Sequence, residues 1–518
     1  MTRMKNNQSA KSVQSVVKIR RTEPMGDELP HGWVHTALCE IAIINPRHPT
    51  VIEHGLPISF ARMTALSETA PGFRTLEDRT LGDVRKGFTH FAEGDVLFAK
   101  ITPCTENGKG AVARGLRNNL GCGTTELHVI RPLGKVDPDY LYRFLSQSHI
   151  RRAAKENFTG TAGQARVPKG FIETLELPLP PLAEQRRIVA KLTELLGKVD
   201  ASQLRLAKIP ALLKRFRQSV LAAACSGRLT ANWREENSTT ETTKVLLARI
   251  KEKRLASAKT QKEKTQIEEV FDERNLRDDE GDVGLTDIPG TWLGCRIGAI
   301  GAVCNGSTPS RKQPEFWDGT IPWVSSGEVR NNLISETRER ITKAGYEGSS
   351  VRLLPRGSVL IAMIGEGKTR GQTAILNIEA TINQNVAAVV LDHGLVASAY
   401  LWRWFQLQYE ATRERGGGSG PQALNCQRVR ELPFVLPSLP EQQEIVRRVE
   451  GLFALADQIE SRFEKARAHV EKLTQSILAK AFRGELFPQD PKDEPASALL
   501  DRIRAEKEPE KAKQAGKK

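Results

Sequence analysis

The sequence has no run of 18 consecutive apolar residues, which excludes a helical membrane span. It opens on MTRMKNNQSAKSVQSVVKIRR, a stretch without the apolar core of an export signal, so the expected location is the cytoplasm. Cysteine is scarce: Cys39, Cys104, Cys122, Cys225, Cys295, Cys304 and Cys426 lie far apart, with no C-x-x-C among them. An odd, scattered set suits a reducing compartment and argues against a zinc site. The nine histidines show no ligand spacing, and neither G-x-S-x-G nor H-E-x-x-H occurs. Asn45-Pro46-Arg47 begins like an adenine-methyltransferase motif but lacks its second proline and its aromatic residue. Ala362–Thr369 (AMIGEGKT) fits a relaxed phosphate loop, yet the β-branched sequence after it opens no helix to cradle a phosphate. A catalytic constellation is therefore missing, and the expectation is a binding scaffold with no cofactor in this chain.

Charge is not concentrated in a tail either. The 518 residues carry 77 Lys+Arg and 62 Asp+Glu, net +15. By segment, 1–180 is +6, 181–236 is +6, 237–285 is −1, 286–437 is +3 and 438–518 is +1. The excess lies on folded-looking sequence and favours a polyanionic partner without naming one.

The chain is written twice. LPLPPLAEQRRIVAKL (177–192) matches FVLPSLPEQQEIVRRV (434–449), and Pro180–Thr230 laid on Pro437–Phe487 gives 18 identities in 51 ungapped positions. VLLARIKEKR (245–254) echoes ALLDRIRAEK (498–507). Upstream, LPHGW (29–33) answers IPGTW (288–292), EGDVLFAKI (93–101) answers RGSVLIAMI (356–364), and DYLYRFL (139–145) answers AYLWRWF (399–405). Each half is a diverged head followed by a similar helical segment.

Those segments carry a 4–3 apolar spacing. Ile188, Leu192, Leu195, Val199, Ser202, Leu206, Ile209, Leu213, Phe216 and Val220 hold one polar residue. Ile445, Val449, Leu452, Ala456, Ile459, Phe463, Ala466, Val470, Leu473 and Ile477 hold none. This register predicts two long helices able to pair as a coiled coil, each roughly 50 Å long at 1.5 Å per residue. Pro210 predicts a kink or break in the first. Glu184 and Glu441 fall in the first turns, where the helix dipole favours a carboxylate. The heads show short β-branched and aromatic runs punctuated by glycine, which predicts mixed α/β domains. The expected divisions are a first head over 1–180, a coiled-coil helix over 181–230, a charged solvated helix and linker over 231–285, a second head over 286–437, a second coiled-coil helix over 438–487 and a charged tail helix over 488–518.

The paired LPxLxEQ-x-x-IV segments, the Gln-Ser-(Val/Ile)-Leu-Ala…Gly-x-Leu endings, the IPGTW…GSTPSR…WDGTIPWVSSGEV opening and the paired G-(D/S)-V-L strands occur together, in duplicate and in order. With them the chain resembles the specificity (S) subunit of type I restriction–modification enzymes over almost its whole length. The resemblance implies two target-recognition domains, each reading half of a split double-stranded DNA target, spaced by an antiparallel coiled coil with a pseudo-two-fold repeat. It implies docking of two modification subunits that methylate adenine with S-adenosylmethionine, and of restriction subunits that use ATP and Mg. Strong divergence between the heads implies an asymmetric target.

Glycine- and polar-rich loops supply the candidate contacts, although such loops are also the commonest surface feature of any protein. In the first head these are Lys100, Thr102, Lys109, Gln164, Arg166 and Lys169; in the second, Ser307, Thr308, Arg311, Lys368, Arg370, Gln372, Gln422 and Asn425. Arg and Lys suit guanine O6/N7 or phosphate, and Asn and Gln suit adenine N6/N7. The competing readings are a coiled-coil scaffold without sequence-specific DNA binding and an enzyme that acts on DNA alone. The first leaves the heads unexplained, and the second finds no region to house its chemistry.

Overall fold

Apolar runs bracketed by glycine form the strands, and the heptad segments form the long helices. The computed structural model describes residues 29–515 apart from 69–70, 162–164, 238–240, 273–287, 366, 393 and 416–422. The chain divides into two compact units, one drawn from Met1–Ala207 and Lys465–Lys518, the other from Lys208–Glu464.

The first unit holds a four-stranded sheet in the order β2 (Ala42–Ile44), β9 (Leu127–Pro132), β6 (Val96–Ala99), β7 (Gly110–Val112). A second sheet runs β4 (Glu77–Thr80), β3 (Pro57–Ala61), β8 (Leu120–Gly123), β5 (Thr89–Ala92), with β3 and β8 parallel. A two-stranded ribbon joins β1 (Val34–Ala37) to β10 (Glu176–Leu179). The second unit repeats the plan. Its ribbon is β11 (Leu293–Arg296) with β20 (Pro433–Leu436). Its larger sheet runs β12 (Gly301–Asn305), β19 (Val386–Leu391), β16 (Val359–Ala362), β17 (Thr373–Leu376), β14 (Asn332–Ile334). Its smaller sheet runs β15 (Glu339–Ile341), β13 (Trp317–Val324), β18 (Thr381–Ile382), with β13 and β18 parallel. β6 and β16 are buried on both faces, which is why both read as unbroken apolar runs.

The connector helices are α1 (Leu182–Leu206), α2 (Ile209–Cys225) and α3 (Leu439–Phe482). The helix breaks at Ala207–Lys208, which puts Pro210 in the first turn of α2, where its missing N–H leaves no bond unmade. With Arg467 at the matching place, α3 runs 44 residues without a break. In the first unit Ile188, Leu192 and Leu196 of α1 share a core with Leu478, Ala481 and Phe482 of α3. In the second, Val220, Leu221 and Ala224 of α2 share a core with Ile445 and Val449 of α3. Arg217 pairs with Asp457 and Glu460 at 2.6 and 2.7 Å, while Arg448 of α3 reaches the Leu229 carbonyl and Asn232, so α2 and α3 run antiparallel.

Most seam residues are covered. Ile188, Leu192, Val199, Leu213, Val220, Ile445, Val449 and Phe463 are buried, and Leu195, Leu206, Phe216, Leu452, Val470, Leu473 and Ile477 are half-buried. Ile459 departs from the reading: it is 40% exposed, while the neighbouring seam residue Ala456 is fully covered. The segment read as a solvated charged helix is also different. Helix Thr243–Ser257 buries Leu246, Leu247 and Ile250 in the second unit's core, and helix Ala496–Ala515 buries Ala496, Leu499, Leu500 and Ile503 in the first unit's core. Among the described residues no helix is long and apolar enough to cross a membrane.

Each ribbon is locked to its connector by the same residues. The Trp33 indole donates to Glu184 at 2.9 Å, and Trp292 donates to Glu441 at 2.8 Å. Gln185 and Gln442 each donate to a proline carbonyl five residues back, at 2.9 Å, and accept a backbone N–H from the start of the head's helical stretch, Asp137 or Ala397. The EQ pair is a structural lock, made once per unit.

Candidate nucleic-acid interface

In the first unit the β6 and β9 ends, the 101–109 loop and residues 165–169 come together around His128. Its Nε2 lies 2.8 Å from the Val167 carbonyl, its Nδ1 meets Asn45, and burial lowers its pKa below the ordinary histidine value. The Val167 N–H in turn donates to the Lys100 carbonyl at 2.8 Å. Lys100 and Lys169 both act on His128 through their charges, so these two candidates share one patch. Lys169 pairs with Glu173 at 2.7 Å. Arg166 forks onto Glu126 at 2.8 and 2.9 Å, and that contact holds the Glu126 carboxyl below its usual range. Thr102 donates to Glu106 at 3.1 Å, and Lys109 is half-buried on the same loop. Gln164 lies outside the described residues.

In the second unit the Ser307 N–H donates to the Ile382 carbonyl, and the Ser307 carbonyl accepts the Trp323 indole at 3.0 Å. Gly306 is required there by contact: a Cβ would stand 1.7 Å from the Ile382 carbonyl oxygen. Thr308 donates to Gln384, a residue that loop composition did not single out. Lys368 is exposed, on a turn whose carbonyls accept from Tyr409 (at Lys368) and Arg413 (at Arg370). Gln372 is half-buried at the end of this turn. Two candidates are already engaged within the fold. Arg370, at the end of the turn, is only 8% exposed. Asn425 caps helix Cys426–Glu431, accepting the Arg428 N–H at 2.8 Å, so its amide oxygen is already used. Gln422 lies outside the described residues.

Arg311 lies in the connection between β12 and β13, against the smaller sheet of this unit. Its guanidinium lies 3.6 Å from the Trp317 ring centroid and forks onto Glu339 at 2.5 and 2.9 Å. The contact keeps the Glu339 carboxyl below its usual range. Among the described residues the AMIGEGKT segment leads from β16 through a turn into antiparallel β17, so it opens no helix of its own to cradle a phosphate. Among the described residues no group of three or more His, Cys, Asp or Glu is placed to hold a metal ion.

The model of the type I restriction modification DNA specificity domain matches residues 78–211 and again 289–466. The chain belongs to this family. Among curated specificity subunits, it is 28% identical to that of the type I restriction enzyme EcoAI of Escherichia coli over 518 aligned residues, covering 90% of this chain and 85% of the relative. Against the EcoEI specificity subunit of Escherichia coli it is 27% identical, covering 85% and 80%. Against that of EcoBI it is 34% identical, covering 66% of each. The fold is shared with the HsdS subunit from Thermoanaerobacter tengcongensis at a TM-score of 0.59 and 19% identity, over 89% of this chain and 98% of that one. A chain solved in work on complex assembly and conformational transition of the type I R-M system gives a TM-score of 0.62 at 19% identity, over 89% and 100%. The two specificity domains thus carry the same lock and different loops.

Proposed function

We propose that this chain reads an asymmetric, two-part DNA target, one half by each specificity domain. Its connector helices dock two adenine-methylating modification subunits, to which restriction subunits add. The observation that carries this is a lock repeated residue for residue, Trp33–Glu184 and Trp292–Glu441, supporting loops that share no polar pattern. Equal frames with unequal loops suit two readers of unequal sequence. Lys100, Thr102, Lys109, Arg166 and Lys169 in the first domain, and Ser307, Thr308, Arg311, Lys368 and Gln372 in the second, are the loop residues this reading retains for DNA. The net +15 supplies phosphate attraction, so retention on duplex DNA should fall steeply with salt. S-adenosylmethionine, ATP and Mg belong to the partner subunits in the cytoplasm, and this chain alone transfers no methyl group. Sequencing methylated adenines in the host genome tests the proposal. Two unlike half-sites separated by a spacer are expected, and a contiguous or palindromic target would refute it.

A further inference from the structure

Each unit carries, on the sheet of β3 and β4 in the first and of β13 and β15 in the second, an arginine laid on an aromatic ring and held by a glutamate of the neighbouring strand. In the first unit Phe60 of β3 stands opposite Glu77 of β4. The Arg79 guanidinium lies 5.6 Å from the Phe60 centroid and 3.0 Å from a Glu77 oxygen, while Arg62, just past β3, holds the other oxygen. In the second unit Trp323 of β13 stands opposite Glu339 of β15. There Arg311 covers Trp317 and lies 5.3 Å from Trp323, with both terminal nitrogens on Glu339. In both units the aromatic strand has its glutamate strand on one side and a parallel strand, β8 or β18, on the other.

The arginines reach this place by different routes. Arg79 belongs to the edge strand β4, whereas Arg311 comes from the connection between β12 and β13. The arrangement is therefore not a by-product of one aligned residue. Stability does not explain it, because the arginine side chains are 44%, 61% and 53% exposed for Arg79, Arg62 and Arg311, and exposed pairs contribute little. What stacking does supply is order: a guanidinium flattened on a ring presents its donors with less rotamer freedom left to lose. Its fork matches two adjacent acceptors, the O6/N7 edge of guanine or a pair of phosphate oxygens. The glutamate neutralises the arginine until such acceptors replace it. In the first unit the arginines open on a cleft of about 550 Å³, lined also by Phe88, Thr124 and Thr125, whose hydroxyls and ring suit base edges.

We propose that these arginine–aromatic–glutamate triads are where each specificity domain contacts its DNA half-site, through Arg79 and Arg62 in the first and Arg311 in the second. The inference rests on the DNA-reading function proposed above. The test is equilibrium binding of the full chain with its modification subunits to duplexes carrying the mapped target, over a series of salt concentrations. R311A and R79A should each lose about ten-fold in affinity for the target. If the arginine reads guanine, the loss is confined to one base pair of one half-site. If it holds phosphate, the loss is uniform across sequences and the salt slope falls by about one. E339Q keeps the fork and removes its competitor, so affinity for unrelated duplex should rise, an outcome a damaged domain cannot give. Wild-type affinity and salt slope in both arginine variants would overturn the inference, as would parallel losses in R311A and E339Q with early melting. Wild-type protein that fails to discriminate its target would instead overturn the DNA-reading function itself.

Discussion

Glu184 and Glu441 occupy the same place in the two locks but are satisfied differently. Glu441 accepts from Trp292, Thr230 and two nitrogens of Arg234, all within 3.0 Å, so its charge has a cation beside it. Glu184 accepts from Trp33 and, at 3.4 Å, from Gln489, and burial raises its pKa above the ordinary carboxylate value. With the folded pKa raised, its contribution to stability is complete below the unfolded pKa and fades as pH rises through the folded one. We expect E184Q to leave stability at neutral pH unchanged or higher and to remove that fading. E441Q should cost roughly 3 kcal/mol, because it leaves the largely covered Arg234 without its counter-charge. Denaturant unfolding of both variants across pH checks the pair, and equal effects would contradict it. Sequence alone placed both glutamates at a helix start but could not name their donors, since Trp33 lies 151 residues from Glu184. It also offered Arg370 on composition, whereas the packing of Tyr409 and Arg413 over that turn decides its burial. Arg79 is hidden for the converse reason: in RTLEDRT it resembles any charged surface, and only strand pairing brings it to Phe60.

At the scale of elements the helices were the most legible part, because a 4–3 spacing needs only local order to be read. The exception, Ile459, shows that a register position predicts which way a side chain faces and not whether anything covers it. The Gly-x-Leu endings of the repeat also acquire a cause. Gly227 and Gly484 take φ of +77° and +72°, and a Cβ on either would stand 2.4 Å from a proline ring, Pro289 or Pro30. Those prolines belong to IPGTW and LPHGW, so each connector ends against the opening motif of a head, a contact too distant in sequence to be read from either motif. Alanine at either glycine meets both a left-handed backbone and a filled space. G227A and G484A should each destabilise by about 2–3 kcal/mol, measured by denaturant unfolding. A neutral result at either site would mean that the proline moves aside.

For the whole molecule, the decisive fact is that the segment after each connector packs into a core already closed by that connector. Ile250 lies in the core of the second unit and Ile503 in that of the first, though the two residues match in the VLLARI and ALLDRI repeat. The Ala496 N–H donates to the Gly32 carbonyl, and Arg504 pairs with Glu40, so the last helix is fastened to the opening of the first head. Such closure is invisible to composition, which sees a charged tail, because Ala496, Leu499, Leu500 and Ile503 suffice to fasten the start of the helix. Removing one of them leaves a cavity in one core only. I503A should therefore cost about 2–5 kcal/mol in the first unit, and I250A a similar amount in the second. Heating the full chain while following proteolysis of each unit separates the two. In I503A, cleavage within 29–207 should begin at lower temperature while cleavage within 288–464 keeps its wild-type onset, and in I250A the order reverses. Near its lowered transition I503A should also lose discrimination at the half-site read by the first domain before the other. Simultaneous release of both units in either variant would show one cooperative core, contrary to the two that packing defines.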